Sequence, residues 1–218
     1  MDRYRPPFVA AAVLLAALAG FVDALAWLSL GGFFASFMSG NTTRLGIAIA
    51  TGDHASEATA GALILAFVSG VMVATMLSVR FPRRRKPAVM AAVTLLLAFA
   101  ALLAGFTDRQ FPLVLLAVAM GAENGVFNRE GEVSVGLTYM TGRLVRVGQR
   151  LTGALIGSGT PFGWLRPLVL WVGFLVGVLA GGRAHSALGD TALWAAAGAA
   201  ALLTLVVALL TRDGAPAD

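Results

Sequence analysis

Six stretches of this chain run free of charged side chains, and three of them are long enough to cross a lipid bilayer. Residues 58–79, 87–107 and 191–211 contain no charge, and each reaches the roughly 17–25 apolar residues that a helix needs to traverse the hydrocarbon layer. Residues 6–22, 110–122 and 167–182 are also uncharged and reach that length only if their helices continue past a polar residue. Water is a poor solvent for such a chain. Apolar residues are 58% and charged residues 12% of 218, against about 45–50% and about 25% in soluble domains. The expected class is therefore an all-α integral membrane protein with six transmembrane helices, forming a single transmembrane domain over residues 1–218. Residues 6–22 follow Arg3 and Arg5 and resemble a secretory leader. The apolar run continues through Trp27 and Leu28, however, and reads as the first span.

Placing the N-terminus in the cytoplasm and alternating sides puts Arg3, Arg5, Arg80, Arg83, Arg84, Arg85, Lys86, Arg129, Arg143, Arg146, Arg150, Arg166 and Arg212 inside. Only Arg44, Arg109 and Arg183 fall outside. Basic residues favour cytoplasmic loops, so both termini are expected in the cytoplasm of a multi-pass inner-membrane protein. The net charge of +5 follows from this orientation and gives no reason to expect a nucleic-acid partner.

The chain also repeats itself. Phe37-Met38-Ser39-Gly40-Asn41-Thr42-Thr43-Arg44-Leu45-Gly46 matches Tyr139-Met140-Thr141-Gly142-Arg143-Leu144-Val145-Arg146-Val147-Gly148. Upstream, Asp23-Ala24 matches Asn124-Gly125. Downstream, Gly70, Ala74 and Ser78 match Gly173, Gly177 and Gly181. Repeat 1 covers about 8–106 and repeat 2 about 111–211, each with three spans and one short motif helix. An odd number of spans turns the second copy upside down, the plan of many secondary transporters. The small residues at every fourth position read as helix–helix packing faces, within one chain or across a homodimer.

Gly20-Phe21-Val22-Asp23-Ala24, followed by Leu30-Gly31-Gly32-Phe33-Phe34-Ala35-Ser36-Phe37-Met38-Ser39-Gly40-Asn41-Thr42, resembles the signature of the YoaK family of bacterial membrane proteins. Gly121, Asn124, Arg129 and Tyr139-Met140-Thr141-Gly142 fall where that family has its second motif. The sequence departs from the pattern at Ser39, where Thr is more usual, and at Glu123, where Gln is. The resemblance implies six helices, a membrane location and no assigned function.

Asp23 lies within the first apolar helix, where an ionisable group is costly and marks a candidate site. Glu123 and Asn124 hold the matching place in the second half. Ser39-Gly40-Asn41 and Thr141-Gly142-Arg143 read as polar turns opening short helices, whose first N–H groups lack intrahelical partners and attract anions. Arg44 is expected to pair with Asp23 or with an anionic solute. Arg143, Arg146 and Arg150 share one face of an amphipathic stretch suited to the head-group layer.

The histidines, His54 and His185, are read as solvated loop residues. With no cysteine and no catalytic motif, neither an enzyme nor a cofactor is expected. The expected function is transport or facilitated passage of a small polar solute, an anion among the options, with or without a proton. The alternative is a non-transporting scaffold or accessory subunit whose polar residues only pack helices. For the orientation, single cysteines placed in this Cys-free chain are expected to label from outside at Asp53 and Asp108, and only from inside at Arg84 and Arg129. Labelling of Arg84 from outside would reverse the assignment.

Overall fold

The structure is a computed structural model that describes residues 6–29, 31–107, 110–126, 128–129, 132–133 and 138–212. Arg3, Arg5, Asp108 and Arg109 lie outside these. Eight α-helices occur among the described residues: α1 (Pro6–Ser29), α2 (Met38–Thr51), α3 (His54–Arg80), α4 (Arg85–Leu103), α5 (Gln110–Glu123), α6 (Met140–Leu155), α7 (Leu165–Leu188) and α8 (Ala192–Arg212). A two-residue antiparallel ribbon, Asn128–Arg129 with Glu132–Val133, is the one addition to the all-α expectation.

Four apolar helical stretches are long enough to cross a membrane: Pro7–Ser29, His54–Arg80, Pro82–Leu103 and Leu165–Thr211. The last is interrupted by the 3-10 turn Gly189–Thr191 and so comprises α7 and α8. Helix α5 has 14 residues. At about 1.5 Å per residue it extends roughly 21 Å, short of a hydrocarbon core of about 30 Å. Of the six expected spans, α5 is thus the one that stops early, and it stops at Glu123. Large apolar side chains are exposed along the helices, Leu65, Leu202 and Phe106 among them. A water-facing surface avoids such extended patches; a lipid-facing one does not.

Helix directions follow from contacts at the two ends. At one end, the Lys86 ammonium at the start of α4 sits 4.5 Å from the Phe8 ring near the start of α1. A short 3-10 turn, Pro82–Arg84, brings the end of α3 to the same level. At the other end, Leu25 and Ser29 of α1, Ala104 after α4, Pro112 and Leu116 of α5, and Asp190 and Leu193 beside α8 surround one small cavity. The Ser29 hydroxyl donates to Asp190 there, at 3.4 Å. Helices α1, α4 and α7 therefore finish where α5 and α8 begin.

The closest helix contacts are lined by glycine. Gly177 of α7 lies on the Ala17 carbonyl of α1, and Gly20 of α1 on the Phe174 carbonyl of α7. Likewise Gly70 of α3 lies on the Val118 carbonyl of α5, and Gly121 of α5 on the Phe67 carbonyl of α3. None of these four positions has room for a Cβ. The two contacts are copies of one another, and they correct the repeat read from the sequence. Phe174 stands where Phe67 does, Gly177 where Gly70 does and Gly181 where Ala74 does, one turn further along than the match of Gly173 with Gly70. The longer connection from Leu155 to Leu165, against Thr51 to His54, absorbs the extra turn.

These contacts make a direct prediction. Gly177→Val and Gly70→Val should each lower stability by about 1–3 kcal/mol through overpacking. Gly198→Ala, where nothing lies within 4 Å of the new Cβ, should be neutral or slightly stabilising in its helix. Thermal unfolding in detergent checks all three.

Candidate functional site

Seven polar or charged residues are buried among those described: Asp23, Ser36, Asn41, Lys86, Glu123, Asn124 and Arg143. All but Lys86 lie in the two breaks that follow α1 and α5 or on the helices that border them. Beyond the end of α1 the chain reverses at Gly31 and Gly32, with φ of 63° and 100°, values that favour glycine. It then returns beside α1 until Ser36 reaches Asp23, which lies well inside the helix. The Ser36 amide donates to Asp23 Oδ1 and its hydroxyl to Oδ2, each at 2.6 Å. Asn41 closes the loop. Its side-chain oxygen accepts from the Phe34 amide at 3.1 Å, and its Nδ2 donates to the Phe34 carbonyl at 2.7 Å. The Arg44 guanidinium donates to the Gly32 and Gly31 carbonyls at 2.9 and 3.3 Å and lies 4.0 Å above the Phe33 ring. Backbone at membrane depth must be satisfied from within, and these three side chains supply that. Helix α2 therefore begins at the depth of Asp23 rather than at the rim.

The second half repeats the device. Asn124 Nδ2 donates to the Met120 carbonyl at 2.9 Å and meets the Thr138 hydroxyl at 3.2 Å, so Asn124···Thr138 answers Asp23···Ser36. The N-cap residues Phe37 and Tyr139 have nearly the same backbone angles (φ −86°, ψ 75° and φ −83°, ψ 68°). Each folds its ring over the glycine three positions on, Gly40 or Gly142, where a Cβ would strike it.

Several expectations change. Ser39 and Thr141 are exposed and do not face the site. The amides of Met38, Gly40 and Asn41 already donate to the Ser36 and Phe37 carbonyls, so the turn offers no open set of donors to an anion. Arg44 serves backbone carbonyls, not Asp23. Arg143 is buried rather than laid in a head-group layer. His185 sits in α7, and His54 opens α3 beside Glu57, 3.2 Å away.

Asp23, Glu123, Asn124 and Asn41 are drawn into the interior as expected. Ser36 and Thr138 were missed, although extending the aligned block one residue upstream pairs them as Ser with Thr.

Beside Asp23 lies a cavity of about 520 Å³. Trp27, Leu28, Phe34, Phe37, Phe174 and Val178 form most of its wall, with Asp23 and Thr138 as the polar groups. Neither Arg44 nor Arg143 lines it.

Residues 11–206 match a family described as "Protein of unknown function (DUF1275)". The chain belongs to this family. It is 37% identical over 195 residues to the UPF0700 transmembrane protein RA0705 of Rhizobium meliloti (strain 1021), covering 89% of this chain and 84% of that one. It is 27% identical over 164 residues to the UPF0700 transmembrane protein YoaK of Bacillus subtilis (strain 168), covering 72% and 73% respectively. No solved structure matches the chain. The protein is thus a multi-pass membrane protein of a YoaK-like family whose function is unassigned.

The Asp23–Ser36 tie can be tested alone. Ser36→Ala removes a hydroxyl donor from a buried carboxyl and should cost about 1–3 kcal/mol. Thr138→Ala should cost less, about 0.5–1.5 kcal/mol, because Asn124 keeps its bond to Met120. Unfolding midpoints in detergent give both values.

Proposed function

We propose that this chain is a secondary transporter or facilitator, built from two inverted halves of three spans each, whose solute binds in the cavity at Asp23. The carrying observation is the cavity itself, which brings open space to an ionisable group inside a transmembrane helix. Its volume lies within the range of small-molecule sites, about 300–1,000 Å³. The helix directions support the inverted plan, since α1, α4 and α7 run one way and α3, α5 and α8 the other. The two polar breaks leave half-length helices, α2 and α6, as in transporters with broken helices. The distribution of arginine supports cytoplasmic termini.

The wall argues for a particular solute. Among the described residues it holds one acid, one hydroxyl and no base, so an anion has no partner there. A small solute with an apolar or aromatic body and a donating or cationic group fits better. Ser36 fills two of the roughly four acceptor positions of the Asp23 carboxylate and leaves room for such a group.

The second reading, a scaffold that carries nothing, is favoured by the complete hydrogen bonding of Asn41 and the tie of Asp23 to Ser36. The test is a thermal-shift screen of the detergent-purified protein against a metabolite library, because a ligand that binds only the native state raises the melting temperature. Compounds that stabilise the wild type should lose at least tenfold in affinity in Asp23→Asn and in the cavity-filling Ala24→Trp, and should accumulate in proteoliposomes. Stabilising compounds that ignore both substitutions, or a screen with no stabilising compound, would favour the scaffold.

A further inference from the structure

Glu123 ends α5 and is 0% exposed. Neither of its side-chain oxygens has a hydrogen-bond partner. A bare buried carboxylate is among the costliest arrangements a fold can hold. Among the described residues, no charged group on the helices packed against α5 bonds to it. Asp23 is the single titratable residue of α1. Helix α3 carries His54, Glu57 and Arg80 at its ends, and α4 carries Arg85 and the buried Lys86 in its first turn, the Lys86 ammonium 4.5 Å from the Phe8 ring. Arg44 is turned onto the Gly31 and Gly32 carbonyls. Glu123 is thus a buried acid with no bonded cation among the described residues.

We propose that Glu123 binds one small monovalent cation, a proton or a sodium ion. A multivalent ion is a poor fit, since no group of three or more acidic, histidine or cysteine side chains forms among the described residues. The Asp23 carboxylate is held by Ser36, and Glu123 has both oxygens free to take the cation. The two sites differ in chemistry. The cavity wall at Asp23 meets the solute, whereas Glu123 is not on that wall. The cation site deepens the transporter reading by supplying its coupling ion and rests on that reading only in this respect. Its test measures cation binding and not uptake, so either can fail alone.

The purified full-length protein is titrated with NaCl at constant ionic strength, choline replacing sodium, and separately with pH at zero sodium. Melting temperature is the first readout. A wild-type rise of several degrees over a hundred-fold increase in sodium, absent in Glu123→Gln, assigns sodium. A wild-type pH dependence that Glu123→Gln removes, with no response to sodium, assigns the proton. The second readout needs no variant. Dicyclohexylcarbodiimide modifies protonated carboxyls in apolar surroundings, and mass spectrometry locates the adduct. Labelling of wild-type Glu123 that sodium suppresses at least tenfold, or that falls at least tenfold as pH rises, supports the site. Melting profiles that run parallel in wild type and Glu123→Gln, or labelling indifferent to both sodium and pH, would overturn it.

Discussion

The contact of α1 with α7, and its copy between α3 and α5, holds the two halves of the molecule together. In lipid there is little hydrophobic gain in burying one apolar helix against another, so association depends on close packing and on polar bonds. Gly20, Gly177, Gly70 and Gly121 provide the closeness by letting each helix rest on a partner's carbonyl. Each contact joins the first long helix of one half to the second of the other. Neither half has this partner by itself, so the chain must assemble both before either face is covered.

That arrangement brings Asp23 of α1 and the end of α5 into the interior and makes the polar breaks beside them expensive. Each break is handled by a side chain reaching back along the helix, Asp23 to Ser36 and Asn124 to Thr138. The halves then diverge in charge. The first has Asp23 and Asn41 where the second has Asn124 and Arg143, with Glu123 added alongside. The shared bonds keep the backbone in place, and the differing residues leave ionisable groups at the centre of the bundle. Polar groups of this kind in a membrane interior are seldom kept for stability alone.

Much of the architecture was legible in the residues. The uncharged stretches predicted helices that the structure contains, and the early end of α5 was foreshadowed by a run too short to span. The polar residues singled out within apolar surroundings, Asp23, Asn41, Glu123, Asn124 and Arg143, are all buried. The failures have one source. Ser39, Thr141 and Arg44 were placed in the site because they are polar and repeated, yet a motif reveals chemistry without direction. Ser39 and Thr141 point outward from helices whose inward face is set by the neighbouring helix, and Arg44 is claimed by carbonyls that the Gly31-Gly32 reversal exposes. The one-turn slip in matching Gly70 had the same origin: glycines at every fourth position align equally well at two registers.

By itself, then, the sequence determined the solvent and the helices, because hydropathy is a property of a chain read in order. The tertiary structure decided which glycines meet which carbonyls, that Ser36 rather than Arg44 holds Asp23, that a cavity opens beside that acid, and that Glu123 is left without a partner. Those outcomes depend on distances between residues far apart in the chain. Only the packing of helices against one another sets them.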